Sequence, residues 1–237
     1  MNPALVLTMD NLGLTKKCVE SLRNQDISTT VFVADNGSSD DTVAWTQEQQ
    51  IPCLTLLTNT GFSYGINMGL KWVFELTGAD HCFVANNDTV FGAWTYRELL
   101  AYDAPFVTGI SVDNMDVIAA PEPRKELGPG PDFSAWLVKK ECWEKVGGFD
   151  ESMVSYASDL DLHIRAHRLG IPLMNAGIPF YHERSSTLRN ANPKERRVIE
   201  MQADADRLVF YRKYGFHTWS PEYSAQFTPE NFGIAKK

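Results

Sequence analysis

The first half of the chain alternates short apolar runs with segments of helical periodicity. Apolar runs predict four strands, at residues 4–9, 30–34, 53–57 and 82–85. Helices are predicted between them, at 14–24, from 42 to about 50, and from 65 to 76. Parallel neighbouring strands need connections of this length, so the alternation predicts a parallel sheet with right-handed crossovers.

Beyond residue 93 the pattern is less regular. Strands are predicted at 106–112, 133–138 and 178–181. Helices are predicted from 93 to 102 and at 140–146, 157–169 and 192–214. The segment 121–131 carries four prolines and two glycines without periodicity, which predicts a surface loop. A chain of 237 residues fits one α/β domain or two closely packed halves.

Polar turns follow three of the predicted parallel strands. They begin at Asp35, at Asn59 and at Asn86. Because sites in such sheets lie at the carboxyl ends of the strands, these turns are expected along one rim. The stretch 81–91 is the densest of them, and taken alone it is equally consistent with an Asn/Asp turn and with a ligand site.

A carboxylate in that turn and a histidine after a later strand suggest a metal site. Asp88 would supply charge and His182 a neutral nitrogen to a divalent cation, Mn²⁺ or Mg²⁺, that bridges diphosphate oxygens. The alternative for His182 is a loop histidine bonded to Glu183 or to a backbone carbonyl.

Charge, hydrophobicity and cysteine spacing disfavour several classes of protein. The formal net charge of −8 argues against electrostatic binding of nucleic acid over a broad surface. No apolar run approaches the roughly 20 residues that span a bilayer, and residues 1–3 lead straight into a strand, so a soluble, cytoplasmic protein is expected. The four cysteines lack metal-site spacing and are predicted to be reduced core thiols.

Residues 156–165 form a second polar cluster, at the start of a helix. Ser158 and Asp161 have the spacing of a capping box, and Asp161 and Arg165 have the spacing of an i,i+4 pair. Neither the capping box nor the ion pair involves Asp159. A carboxylate at the mouth of a site can accept a proton, so Asp159 is a candidate general base.

Six motifs together resemble those of a known family, in its order and approximate spacing. They are Asp35-Asn-Gly-Ser-Ser-Asp40, Asn59-x-Gly-Phe-x-x-Gly-x-Asn-x-Gly69, Asn86-Asn-Asp88, Val146-Gly-Gly-Phe-Asp-Glu151, Ser158-Asp-Leu-Asp-Leu-x-x-Arg165 and His182-x-x-Ser-Ser-Thr187. Over roughly residues 4–190 the chain resembles family 2 glycosyltransferases of the GT-A fold. The resemblance implies a Rossmann-like α/β fold with a mostly parallel central sheet flanked by helices, and a single domain comprising a nucleotide-sugar half (1–112), a smaller catalytic and acceptor half (113–190) and a C-terminal helix and tail (191–237).

The resemblance also implies roles for individual residues. The positions implied for the nucleotide-sugar, typically a uridine diphosphate sugar, are Thr8, Asp35, Asn36, Asn59, Gly61, Asn67, Asn86 and Asn87. Asp88 matches the last acid of the D-x-D metal motif, His182 matches a metal ligand of some members, and Asp159 matches the catalytic base. The acceptor-side positions are Gly148, Phe149 and Asp150. Trp136 is a further acceptor candidate, because aromatic faces suit sugar rings, although core packing explains it equally well.

Two positions depart from the family pattern. Asn86 replaces the first acid of D-x-D, and Ser158 replaces the Glu that usually precedes the base. Asparagine still coordinates through its carbonyl oxygen or through water, so weaker metal binding is expected.

The predicted function is an inverting, metal-dependent glycosyltransferase. Its donor would be a nucleotide-sugar and its acceptor a glycan, protein, lipid-linked or small molecule; a nucleic-acid acceptor is disfavoured by the net charge. One alternative is a catalytically silent sugar- or nucleotide-binding module, motivated by Asn86 and Ser158. A sugar-phosphate nucleotidylyltransferase is less favoured, because residues 8–13 lack the basic glycine-rich loop that would hold a triphosphate.

Overall fold

The structure is a computed structural model that describes residues 1–119, 132–183, 191–228 and 230. Its strands are β1 (Asn2–Thr8), β2 (Thr29–Asp35), β3 (Cys53–Thr55), β4 (His81–Asn86), β5 (Thr89–Val90), β6 (Phe106–Val112), β7 (Ala135–Lys139) and β8 (Leu173–His182). Its α-helices are α1 (Leu12–Arg23), α2 (Thr42–Glu48), α3 (Phe62–Thr77), α4 (Thr95–Leu100), α5 (Lys140–Val146), α6 (Ser158–Arg168), α7 (Pro193–Tyr214) and α8 (Pro221–Ser224). Short 3-10 helices cover Met115–Ala119 and Ala225–Phe227. The loop predicted at 121–131 and the last residues of the His182 motif lie outside the described residues.

The described strands form one mixed sheet, in the order β3-β2-β1-β4-β7-β6-β8-β5. The first four of these, β3, β2, β1 and β4, pair in parallel and are connected by α1, α2 and α3, as the sequence predicts. Beyond β4 the sheet changes direction, because β7 pairs antiparallel with both β4 and β6. The mostly parallel α/β sheet flanked by helices is confirmed.

Two strands differ from the sequence prediction. β8 has ten residues rather than the predicted four, and it pairs in parallel with β6 across an irregularity between Thr108 and Ile110. Gly177 lies within β8, directly before the predicted strand, and it resembles a strand breaker, which concealed the true length of β8. The two-residue β5 was missed because it is too short to show a period.

The core lies on both faces of the sheet. Along β1 the side chains alternate, so that Ala4 and Val6 belong to one buried cluster while Leu5 and Leu7 belong to the other. All four cysteines are free, and Cys18, Cys82 and Cys142 are buried. Within the described residues, no helix is long and apolar enough to cross a bilayer.

The capping box predicted at the start of α6 is wrong. The residue that precedes α6 is Ala157, in the left-handed region at φ +61°, and its side chain makes no cap. The buried Asp161 carboxylate instead accepts hydrogen bonds from Arg165 Nε and Tyr214 Oη, each at 2.7 Å. The predicted i,i+4 pair is therefore confirmed, and Asp161 also joins α6 to α7.

A second buried carboxylate joins α7 to the loop before α6. Asp206, on α7 and only 1% exposed, accepts hydrogen bonds from the backbone N–H groups of Val154, Ser155 and Tyr156 at 2.8–3.0 Å. Three backbone donors directed at one carboxylate fix the course of this loop.

Replacing Asp206 by Ala is expected to lower the free energy of unfolding by about 2–4 kcal/mol, because it leaves three backbone N–H groups without their charged acceptor. Equilibrium denaturation in urea measures the change. The matched control is Asp204→Ala on the same helix, where an exposed carboxylate pairs only with Arg207 and the loss is expected to stay below about 0.5 kcal/mol. Equal losses in the two variants would contradict this role for Asp206.

Candidate active site

Three strand ends meet at one edge of the sheet. Thr8 at the end of β1 is aligned with Asp35 at the end of β2, and Leu7 is aligned with Asn86 at the end of β4. The polar residues after these strands therefore share one rim, which is where parallel α/β sheets hold ligands.

Asp35 is completely buried at this rim, yet its hydrogen bonding is incomplete. Oδ2 accepts from the backbone N–H of Ser38 at 3.2 Å, whereas Oδ1 has no partner among the described residues. A buried carboxylate oxygen without a donor is costly. A ligand N–H or O–H group at this rim would supply that donor.

The loops after β1 and β2 hold each other in place. Asp10 and Asn11 both have left-handed backbones, at φ +55° and +58°. Asp10 Oδ1 accepts from the Ser39 N–H at 2.7 Å, and Asp40 Oδ2 accepts from the Leu12 N–H at 2.9 Å. These reciprocal bonds pre-organise the rim beside Asp35.

Asn36 and Asn59 shape the turn before α3. Asn36 Oδ1 accepts from the N–H of Thr60 at 2.9 Å, and its Nδ2 donates to the carbonyl of Gly61 at 3.0 Å. Asn59 Oδ1 accepts from the Gly61 N–H at 2.9 Å. Both polar atoms of the Asn36 amide and the carbonyl oxygen of Asn59 are therefore used within the protein, where they position the turn.

Gly61 lets this turn approach the loop that leads to Asp159. Its φ is +84°, and a Cβ atom there would lie 2.5 Å from the carbonyl oxygen of Val154. Only glycine fits at this point. The turn after β3 and the loop before α6 are thus in direct contact.

Asn67 binds the glycine-rich turn that contains Gly148. Its Oδ1 accepts from the Phe149 N–H at 2.9 Å, and its Nδ2 donates to the Phe149 carbonyl at 3.0 Å and to Glu151 Oε1 at 2.9 Å. A Cβ on Gly148 would lie 2.7 Å from Asn67 Oδ1. The structure therefore places Asn67 as a clamp between α3 and this turn.

The three residues of the Asn86 turn point in different directions. Asn87 Nδ2 donates to the hydroxyls of Thr8 and Thr15 at 3.1 and 3.2 Å, so its side chain braces the end of β1. Asp88 Oδ1 lies 3.2 Å from His182 Nε2, and both side chains are largely buried. The two predicted metal ligands are therefore adjacent, brought together by the pairing of β5 with β8.

The residues around Asp88 suit a divalent cation that is completed by substrate. Among the described residues, no three His, Cys, Asp or Glu side chains form a metal cluster. One carboxylate and one imidazole are nevertheless a sufficient protein contribution when phosphate oxygens and water supply the other ligands, as is usual for Mg²⁺. The Asp88–His182 pair fits such a shared site.

A cavity of about 490 Å³ contains Asn86 and Asp159. Asp159 lies in the first turn of α6, and its Oδ1 accepts from the Leu160 N–H at 2.9 Å. Burial raises the pKa of the Asp159 carboxyl above its ordinary value; hydrogen bonding to Leu160 opposes this, and the carboxylate of Asp132 adds to it. A partly desolvated carboxylate on a cavity wall is suited to accept a proton.

Sequence reasoning missed several residues that line this cavity, among them three with large or charged side chains. They are Asp132, Arg207 and Trp219. Asp132 is fixed by the N–H groups of Ser111 and Ser134, at 3.2 and 3.1 Å. Arg207 and Trp219 come from α7 and from the segment after it. No sequence signal links them to Asp159, because only the packing of α7 on α6 brings them near it.

The structure gives the predicted acceptor-side residues structural partners. Trp136 is fully buried among Phe133, Trp143 and Phe149, with ring centroids 5.2–6.0 Å away. Burial alone would raise the pKa of Asp150, but hydrogen bonds from Lys213 and Ser152 outweigh it and lower the pKa to about 2. Core packing therefore accounts for Trp136, and Asp150 anchors the end of α7.

Two solved structures align with this chain over most of its length. S. aureus TarS, residues 1–349 in complex with UDP, aligns with a TM-score of 0.61 and 14% identity, over 97% of this chain and 76% of that one. Mannosyltransferase PcManGT from Pyrobaculum calidifontis, in complex with GDP-Man and Mn²⁺, aligns with a TM-score of 0.61 and 12% identity, over 94% of this chain and 77% of that one. At these identities the likeness shows the fold.

Sequence comparison adds a family match over part of the chain. A curated relative, an uncharacterized protein of Mycobacterium tuberculosis, is 26% identical over 132 residues, which are 48% of this chain and 50% of the relative. A protein of Mycobacterium bovis matches equally well, so the match spans about half the length of these relatives. Residues 6–92 match the model of glycosyl transferase family 2. The resemblance predicted from the motifs is thus confirmed over residues 6–92, which match the family 2 glycosyltransferase model, within a chain of the GT-A fold.

Proposed function

We propose that this chain is an inverting glycosyltransferase that moves a hexosyl or related group from a nucleoside-diphosphate sugar, uridine-linked, to an acceptor hydroxyl. The observation that carries the proposal is the cavity in which Asp159, a carboxylate of raised pKa, lies near the ends of the parallel strands. The family match over residues 6–92 supports the same reaction class.

The donor is assigned from the rim of the sheet. The unpartnered Oδ1 of the buried Asp35 lacks a hydrogen-bond donor, which a nucleotide base or ribose would supply. The neighbours bound to UDP and to GDP-Man support a nucleoside diphosphate in this position. The donor half of the chain is then 1–112, and residues 113–190 supply the base.

The chemical step needs one proton acceptor. Asp159 takes the proton of the acceptor hydroxyl while that oxygen forms a bond to the anomeric carbon. The bond from the anomeric carbon to the diphosphate breaks on the opposite face, the diphosphate departs with the electron pair, and the configuration inverts. Binding donor and acceptor in one crevice supplies the proximity contribution.

Asp88 and His182 are proposed to hold a divalent cation, Mn²⁺ or Mg²⁺, near the diphosphate. When bound, the cation neutralises the charge that develops on the leaving group. With Asn86 in place of an acid, Asp88 is the one carboxylate in this turn, so the chain itself contributes little negative charge to the site.

A catalytically silent binding module is the second candidate. It is favoured by Asn86 and Ser158, which replace two acids of the family pattern. The two functions differ in turnover, because only the enzyme releases nucleoside diphosphate from a nucleotide-sugar.

Replacing Asp159 by Asn is expected to lower kcat for transfer by roughly 10²- to 10⁴-fold, because the general base is lost. Donor affinity is expected to stay at the wild-type value, measured by calorimetry with UDP-sugars. The comparison variant is Asp132→Asn, which changes another carboxylate of the same cavity. Full transfer by the Asp159→Asn variant would overturn the assignment of the base.

The pH dependence follows from the raised pKa of Asp159. The carboxylate is active only when deprotonated, so kcat/KM is expected to fall as the pH drops through that raised pKa, above the ordinary range of aspartic acid. Removing the charge in Asp132→Asn is expected to move this acid limb to lower pH. An unmoved acid limb in that variant would contradict the coupling of the two carboxylates.

Replacing Asp88 by Ala is expected to weaken Mn²⁺-dependent binding of UDP at least about tenfold, because the charged ligand is lost. Calorimetric titrations with and without Mn²⁺ separate this effect from metal-independent binding. Asp204→Ala serves as the surface control. If Asp88→Ala binds UDP and Mn²⁺ like the wild type, the cation lies elsewhere.

A further inference from the structure

One large aromatic side chain is exposed at the cavity that contains Asp159. Trp219 is 61% exposed and lines this cavity. Its backbone is left-handed at φ +58°, which is an outlier for a bulky residue and persists only when the surroundings impose it. Burial of the indole therefore does little to offset the strain of this backbone conformation.

A contact with α8, which itself contacts α6, fixes the position of this indole. Its ring lies 5.5 Å from that of Tyr223, edge to face. Tyr223 is 2% exposed, and its hydroxyl lies 3.0 Å from His163 Nδ1 on α6. Because Asp159 lies in the first turn of the same helix, Trp219 is held in a defined relation to the proposed base.

We infer that Trp219 is a stacking platform for a sugar ring of the acceptor, so that the acceptor is a saccharide or glycoside. This inference rests on the proposed function. The hydroxyl attacked would belong to the stacked ring or to the sugar next to it.

The rest of the cavity suits a polyhydroxylated ligand. Its lining includes polar side chains that bind hydroxyl groups, namely Asp132, Ser134, Ser155, Arg207 and Thr218. An aromatic face takes up the apolar face of a sugar ring, while convergent polar groups bind its edge. A lipid tail would need a mostly apolar lining instead.

The kinetic test compares Trp219→Ala and Trp219→Phe with the wild type on a panel of methyl and p-nitrophenyl glycosides. In Trp219→Ala, the KM for the glycoside acceptor is expected to rise about three- to tenfold, the range of an aromatic stacking contact. The conservative Trp219→Phe is expected to restore most of the affinity. The KM for the donor should stay unchanged in both variants, because the stacked ring belongs to the acceptor.

A matched control is Trp45→Phe on α2. Trp45 is half-buried, lies against Lys16 and is absent from the cavity lining. Its replacement is expected to leave the KM for acceptor and donor at the wild-type values. A rise in acceptor KM in Trp45→Phe equal to that in Trp219→Ala would contradict a specific role for Trp219.

Acrylamide quenching tests the platform without catalysis. Trp219 is the most exposed of the chain's six tryptophans, and subtracting the Trp219→Phe signal isolates its fluorescence. Methyl glycosides at millimolar concentration are expected to protect it from the quencher. Absence of protection, or donor hydrolysis without transfer to any glycoside, would overturn the inference while leaving the proposed function in place. If the chain neither binds nor hydrolyses nucleotide-sugars, the proposed function fails, and protection of Trp219 by glycosides would still support a sugar platform.

Discussion

The parallel register of β1 with β2 and β4 is the constraint on which the site depends. Alignment of Thr8 with Asp35 and of Leu7 with Asn86 brings three chain reversals to one edge. Each reversal must leave the sheet there, and the side chains that follow are polar because water or ligand meets them at that edge. A change of register by one residue would turn Asp35 to the other face of the sheet and separate it from the rim.

The position of Asp159 depends on buried carboxylates as well as on the sheet. Asp206 directs the loop before α6 through three backbone N–H groups. Asp161, which is also buried, joins Arg165 on its own helix to Tyr214 on α7. α7 therefore acts as a brace that sets the position of Asp159. The cavity takes its form from groups more than 40 residues apart in sequence.

The sequence was sufficient to predict what local periodicity encodes. The four parallel strands, of three to seven residues, the helices between them and the strand-end position of Asp35 all follow from local patterns in the sequence. β8 was predicted too short because Gly177 lies within it, although its pairing with β6 keeps it extended. Arg207 and Trp219 were not predicted as site residues, because their proximity to Asp159 arises only when α7 packs on α6.

Hydrogen-bonding capacity separates the structural members of the motifs from the candidates for chemistry. Side-chain amides make hydrogen bonds to backbone and hydroxyl groups at Asn36, Asn67 and Asn87. The turns that these amides hold explain why the three residues occur in the motifs. Asp35 retains a buried oxygen without a partner among the described residues, and Asp159 lies on the cavity wall, where it accepts a hydrogen bond from the Leu160 N–H. A folded protein keeps an unpartnered carboxylate oxygen at a cost, which binding of a ligand can offset. The amides of these motifs thus build the frame, and Asp35 and Asp159 remain the candidates for chemistry.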